Sequence, residues 1–197
     1  MRARGKETRQ AILRAAEQVF AERGYAGARM DDVAAEVGIK RASMVYYFRD
    51  KRSLYVALLD DLYGELGERY RRVAAESSSL RDSMFGFLDA WATHVAERPG
   101  SVRILMWESA RIRRASADPL AEQLQPLQAT IIDVIHEGQR DGVFRPIDPM
   151  RFIMIITGAT AFLTLGLGVL RVEAEPLTPT ELRVELRSLV QRILIDD

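Results

Sequence analysis

Two groups of side chains in the 197-residue sequence could do chemistry, and the chemistry of both is binding. Lys40, Arg41 and Ser43 put two cations and a hydroxyl within four positions. Such donors, grouped at the start of a helix, can be offered to base edges while their neighbours hold phosphates. Farther along, Phe87, Trp91 and His94 follow steps of four and three, and Arg103, Trp107 and Arg111 follow steps of four. Each trio therefore shares one side of a helix. Aromatic walls with a few convergent polar groups are what a small-molecule pocket needs, and Arg103 and Arg111 beside Trp107 offer bidentate forks to an acidic ligand end. The alternative for the aromatic residues is core filling, with His94 making one buried hydrogen bond.

Other chemistries lack their residues. Without cysteine there is no disulfide framework, thiolate nucleophile or zinc–thiolate site. The two histidines, His94 and His136, stand 42 positions apart, too few imidazoles for most zinc or non-haem iron sites. Asp31–Asp32 and Asp60–Asp61 are the adjacent carboxylate pairs before the terminal Asp196–Asp197, and neither extends into a metal-binding cluster. The first suits a helix N-terminus, where negative charge meets the dipole; the second reads as a solvated helix face. No nucleophile-and-base arrangement and no Gly-rich phosphate loop is present. The expectation is a protein that is not an enzyme and needs no cofactor or metal. A helical enzyme or carrier for a small apolar ligand, binding no DNA, is the competing reading.

The formal net charge is zero, yet the charge is divided unevenly. Residues 1–52 hold 12 Lys and Arg against 7 Asp and Glu, a net +5, and the remainder holds 16 against 21, a net −5. All three lysines, Lys6, Lys40 and Lys51, lie in the basic part. A basic head on an acidic body suits a polyanion binder. The opening residues are charged and run into an amphipathic pattern, so no secretory signal and a cytoplasmic location are expected. Phe152 to Leu170 is 19 residues without a charge, near the length of a membrane span. It also fits a helix buried on two faces, one against its own body and one against a second subunit, and no membrane partner is expected.

The elements that must position these groups are helical throughout. Ile12, Ala15, Ala16, Val19 and Phe20 predict a first helix near residues 8–23, stopped by Gly24. Met30, Val33, Ala34 and Val37 predict a short second helix ended by Gly38, and Met44, Val45 and Phe48 a third, together a helix-turn-helix. Asp50 is placed to cap a fourth helix of about 25 residues, ~38 Å long at 1.5 Å per residue. Ser77–Ser79 break it. A fifth stripe runs from Leu80 to Val95, and Ser101 is a candidate cap for a sixth. Asp118–Pro119 and Asp148–Pro149 open a seventh and an eighth, with proline at the first helical position. Pro126 should kink or divide the seventh. Thr178–Pro179–Thr180–Glu181 forms a capping box for the ninth. The expected fold is all-α with about nine helices: a three-helix head over residues 1–52 and a ligand-binding and dimerisation body over 53–197.

Gly24–Tyr25, Met30–Asp31–Asp32–Val33–Ala34, Gly38 through Met44, Tyr46–Tyr47–Phe48 and Lys51 stand in the order and spacing of the DNA-binding head of the TetR (tetracycline repressor) family, which this sequence resembles. The resemblance implies that Arg29, Tyr46, Tyr47 and Lys51 fall where the family contacts phosphate or the groove. Ala42 and Val45 fall where small or apolar groups touch thymine methyls, and Met44 and Phe48 pack inside the head. Arg29 and Lys40 replace the usual Ser or Thr at helix starts, Val45 a Tyr and Tyr47 a His. It further implies a repressor released from palindromic double-stranded operator DNA by a small-molecule effector held among the fourth to eighth helices. The small residues Gly158, Ala159, Ala161, Gly166 and Gly168, with the apolar stripe of the ninth helix, predict a homodimer through helices eight and nine.

Overall fold

The computed structural model describes residues 2–110, 119–165 and 177–195. Among the described residues there are nine helices and a single isolated antiparallel bridge, Phe144 to Ile195. The order is α1 (Arg2–Gly27), α2 (Met30–Val37), α3 (Arg41–Tyr47), α4 (Lys51–Glu76), α5 (Leu80–Glu97), α6 (Gly100–Ala110), α7 (Pro119–Arg140), α8 (Pro149–Leu165) and α9 (Pro179–Leu194). The expected all-α class and helix number are met.

Local chemistry accounts for most helix ends. The Asp50 carboxylate accepts from the Ser53 amide at 2.7 Å while the Ser53 hydroxyl oxygen accepts from the Asp50 amide, which starts α4. Ser79 caps α5 through the Asp82 amide, and Asp148 caps α8 through the Arg151 amide. Thr178 and Glu181 form the reciprocal box of α9. Gly38 and Gly142 take left-handed backbone after α2 and α7, where a side chain would be strained.

Two expectations are corrected, while a third is met: Gly24, with φ 63° and ψ 172°, breaks the helical backbone at the expected stop, and a short further stretch runs to Gly27 across that kink. The Trp107 ring lies 3.3 Å from where a Cβ would stand on Gly24, so the kink is shaped by a neighbour as well as by backbone freedom. Pro126 does not divide α7, which runs continuously through it. Ser101 does not cap α6; its hydroxyl is buried without a hydrogen-bond partner, and the first amide of the helix, on Gly100, donates to Glu17 Oε1 of α1 at 3.1 Å. The cap comes from a different helix, and its carboxylate meets the positive end of the α6 dipole. The cap of α7 expected at Asp118 lies outside the described residues.

Ile12, Leu13, Phe20, Val33 and Met44 close the core of the head, and Leu54, Leu58, Leu62 and Leu66 of α4 are buried at every fourth position into the body. Helix α4 is thus a continuous rod of about 39 Å linking the two parts. Helices α5 and α7 pack on it and on each other, α8 packs on α7 and α9, and α9 on α5, while α6 packs on both α1 and α8. No helix of the described residues is long and apolar enough to cross a membrane.

Candidate nucleic-acid interface and effector cavity

Helix α3 is held by one fully buried side chain, Met44, and by Phe48 just beyond it, as expected. With the helix anchored on that side, the rest of its surface turns outward. Lys40, Arg41, Ala42 and Ser43 are exposed, Val45 is 46% exposed and Tyr46 84%. An apolar pair left in water beside two cations has no use inside the head; it suits thymine methyls and sugar edges in a groove. Arg41 pairs with Asp31 at 2.8 Å, both well exposed, and such surface pairs hold weakly, so the guanidinium can exchange Asp31 for a phosphate. Tyr47 is half-buried and sets its ring edge-on to Tyr46, centroids 5.2 Å apart. Arg29 is exposed at the N-cap of α2, where the Asp32 carboxylate, itself paired with Arg23, accepts the Arg29 amide at 3.1 Å. The capping hydroxyl absent from that position is therefore half replaced.

Lys51 departs from the expectation. Its ammonium donates to the carbonyls of Tyr25, Ala26 and Ala28 at 2.7, 3.3 and 3.0 Å and lies 4.7 Å from the centre of the Tyr25 ring. All three ammonium hydrogens are spent at the C-terminal end of α1, where a cation also meets the negative end of the helix dipole. Two cations near α3 were not singled out in the sequence. Arg49 is 90% exposed directly after Phe48, and Arg9 sets its guanidinium 5.2 Å from the centre of the Phe48 ring. The first was legible as a basic residue abutting the motif; the second, 39 positions away, carried no local signal.

In the body, α4 to α8 line a half-open cavity of about 330 Å³. Of the expected ligand residues, Phe87 and Trp91 line it. The Trp91 indole donates to Thr160 Oγ1 of α8 at 3.0 Å in the interior, which fixes the ring as wall, and Phe87 packs on Tyr70 with centroids 4.9 Å apart. His94 is a layer below: its ring lies between Trp91 and Tyr63, 5.7 and 5.8 Å from them, and its Nε2 is buried without a partner. Burial, then the charges of Arg98 and Arg69, push its pKa down to about 4, so the imidazole is neutral.

Arg103 and Trp107 are not brought to this cavity. Arg103 is exposed on a shallow cleft against Ala21 and Glu22 of the head, and the Trp107 indole donates to the Ala21 carbonyl at 3.0 Å. Arg111 lies outside the described residues. The step of four did put Arg103 and Trp107 on one side of α6, but that side faces α1; Leu105, Glu108 and Ser109 face the cavity, and Met106 borders both spaces. Gln128 and Thr157 of the lining were missed, although a glutamine four after Leu124 and three before Ile131 is a polar break in an apolar stripe, a usable signal.

Between head and cavity runs an ion network. Arg98 donates to Glu17 Oε2 at 2.7 Å and to Asp61 Oδ2 at 2.9 Å, all three mostly buried, and Gln10 donates to Asp61 Oδ1 at 3.0 Å. Tyr63 adds a bond from its hydroxyl to the Ser101 carbonyl at 3.0 Å. Helix α1 is thereby clamped to α4 and to the start of α6.

A helix-turn-helix head with an exposed basic helix, continuous through one rod with a body whose helices line a largely apolar cavity, defines a DNA-binding transcriptional regulator. The comparisons agree. The family model described as bacterial regulatory proteins, tetR family, matches residues 12–58, and that described as tetracyclin repressor-like, C-terminal domain, matches residues 81–171. The chain belongs to the TetR family of transcriptional regulators. It is 27% identical to the HTH-type transcriptional repressor KstR2 of Mycolicibacterium smegmatis over 70% of this chain and 68% of that one. It is 25% identical to the HTH-type transcriptional regulator RutR of Escherichia coli K12 over 77% and 71%. In fold it is similar to the ketosteroid transcriptional regulator KstR2 of Mycobacterium tuberculosis, with a TM-score of 0.76 at 23% identity over 96% of this chain and 95% of that one.

Proposed function

We propose that this chain is a homodimeric repressor whose residues 1–52 bind a palindromic operator and whose residues 53–197 dimerise and hold a small-molecule effector. The observation that carries the reading is the exposure of Lys40, Arg41, Ser43, Val45 and Tyr46 around the buried anchor Met44. Arg29 and Tyr47 flank that surface, and Arg49 and Arg9 extend it. Dimerisation through α8 and α9 is supported by apolar side chains left in water: Met154, Phe162 and Val184 are each more than 60% exposed, and Ile155 is 43% exposed. Met154, Gly158 and Phe162 follow steps of four, so they form one stripe, and a Cβ on Gly158 would meet nothing within 4 Å. Ala161 is buried in its own body, and Gly166 and Gly168 lie outside the described residues. The relatives' names support repression as the sign of control, and the absence of a spanning helix among the described residues agrees with a cytoplasmic protein.

Effector binding acts on α6, which borders cavity and head at once. A ligand that fits only a displaced Met106 and Ser109 moves Trp107 and the Glu17–Arg98 clamp with them, and the two α3 helices change separation. Only differential affinity for the two arrangements drives this, and a coupling of about 1–3 kcal/mol changes operator affinity ~5- to 150-fold. The test is selection of bound sequences from random duplex DNA by the purified chain: a two-fold symmetric consensus is expected, and no enrichment over non-specific binding would sink the reading.

A further inference from the structure

Head and body meet at an ionic joint in which every carboxylate oxygen is paired. Arg98 closes α5, its amide donating to the His94 carbonyl at 2.8 Å, and Pro99 and Gly100, the first residue of α6, follow it. From that corner its guanidinium spans α1 of the head and the rod α4: Nε donates to Glu17 Oε2 at 2.7 Å and Nη2 to Asp61 Oδ2 at 2.9 Å. The two remaining oxygens are taken as well, Glu17 Oε1 by the Gly100 amide at 3.1 Å and Asp61 Oδ1 by the Gln10 side chain at 3.0 Å. The three charged side chains keep only 10 to 20% of their surface in water. A fully satisfied network in such a setting rigidifies what it joins.

The joint fixes position as well as charge. The planar fork of arginine sets the angle between the carboxylates it spans, which the point charge of a lysine does not. Pro99, with φ held at about −65°, keeps the two donors on Glu17, from Arg98 and from Gly100, at one spacing. Gly100 is constrained from the other side: a Cβ there would stand 2.5 Å from Glu17 Cγ, so even an alanine displaces the carboxylate.

We infer that Arg98 is a positioning residue for operator binding: with Gly100 it fixes the angle at which α1, and the head built on it, sits on the body, and so sets the separation of the two α3 helices without touching the duplex. This rests on the proposed dimer that reads a two-fold site. With the joint intact the heads hold one separation. With it broken they sample many, of which only a fraction fits both half-sites, and the apparent affinity falls by that fraction.

The chain holds no cysteine, so Ala35→Cys, at an exposed position of α2, takes one nitroxide label per head, and pulsed dipolar spectroscopy of the full-length protein reads the distance between the heads. The labelled parent is compared with Gly100→Ala, which removes no charge, and with the triple variant Glu17→Gln, Asp61→Asn, Arg98→Met, which leaves no buried charge unpaired. Far-UV circular dichroism and thermal melting confirm that each is folded. One narrow distance is expected in the parent and a broadened distribution in both variants. Affinity for the selected duplex should fall about tenfold or more, with an unchanged slope of log affinity against log salt, since no phosphate contact is lost. Folded variants that keep the parent's distance and affinity, even if they melt earlier, would reduce the joint to a structural contact and overturn the inference. A shallower salt slope would overturn it too, by placing the lost contact on the DNA, as would a parent whose heads already sample a broad range. A parent with no distance between labels would overturn the dimeric reading beneath it, whatever the variants do.

Discussion

Arg41 and Lys51 are both basic residues of the head, yet their surroundings assign them opposite work. Arg41 is exposed and loosely paired with Asp31, whereas Lys51 has its ammonium on three carbonyls. Arg41→Ala should therefore weaken operator binding and lower the slope of log affinity against log salt by about 1, the signature of one lost phosphate contact. Lys51→Met should leave that slope unchanged and cost about 1.5–3 kcal/mol of stability in urea unfolding, the range for hydrogen bonds to a charged group. A smaller salt slope in Lys51→Met would return that residue to the DNA. His94 makes a pH prediction. Its pKa is near 6.5 in the unfolded chain and about 4 when folded, so between those values the unfolded state binds the extra proton and stability falls as pH falls. The loss should reach about 3 kcal/mol at pH 4 and should be absent in His94→Phe, as read from denaturation midpoints at a series of pH values. The sequence showed Arg41 as exposed chemistry because the whole motif lies within a few residues. It could not show the carbonyls that Lys51 reaches, more than 20 positions away, or the Tyr63 ring of α4 that packs on His94.

At the scale of elements, helix starts were readable wherever the cap lies within four residues, as at Asp50, Asp148 and Thr178. The start of α6 was not readable, since its capping carboxylate, Glu17, stands 83 positions before Gly100. The two sides of α6 illustrate a second limit. Periodicity groups Arg103 with Trp107, but which neighbour they face depends on how α6 is rotated between α1 and α8, a property of packing alone. That rotation sets Trp107 against Gly24 and the Ala21 carbonyl, and under the proposed function it is the contact through which cavity movement would reach the head. Trp107→Ala should keep operator affinity within about threefold and keep ligand binding in the cavity, yet reduce ligand-induced operator release; the ~5- to 150-fold response typical of allosteric coupling should shrink several-fold in an anisotropy assay. Full release in Trp107→Ala would move the coupling to the Glu17–Arg98–Asp61 clamp.

For the whole molecule, the division of charge into a +5 head and a −5 body favours approach to a polyanion by the head, and the proposed dimer would turn one basic helix into a reader of two half-sites. Phe162→Asp, in the middle of the exposed α8 stripe, should yield a monomer by sedimentation and lower operator affinity by at least a hundredfold without unfolding the chain; an unchanged dimer would shift the interface to another face. The helical spacing of Phe87 and Trp91 predicts a cavity wall, and both line the cavity, but the contributions of α7 and α8, such as Gln128 and Thr157, converge with them only after folding. The most direct test of the central claim is to place a photo-crosslinking phenylalanine analogue at Tyr46 and map the adducts on the selected duplex. Two symmetry-related crosslinks in major-groove faces about one helical turn (~34–36 Å) or a multiple of it apart are predicted. Crosslinks that are absent, single, or scattered without symmetry would contradict a pair of α3 helices reading DNA.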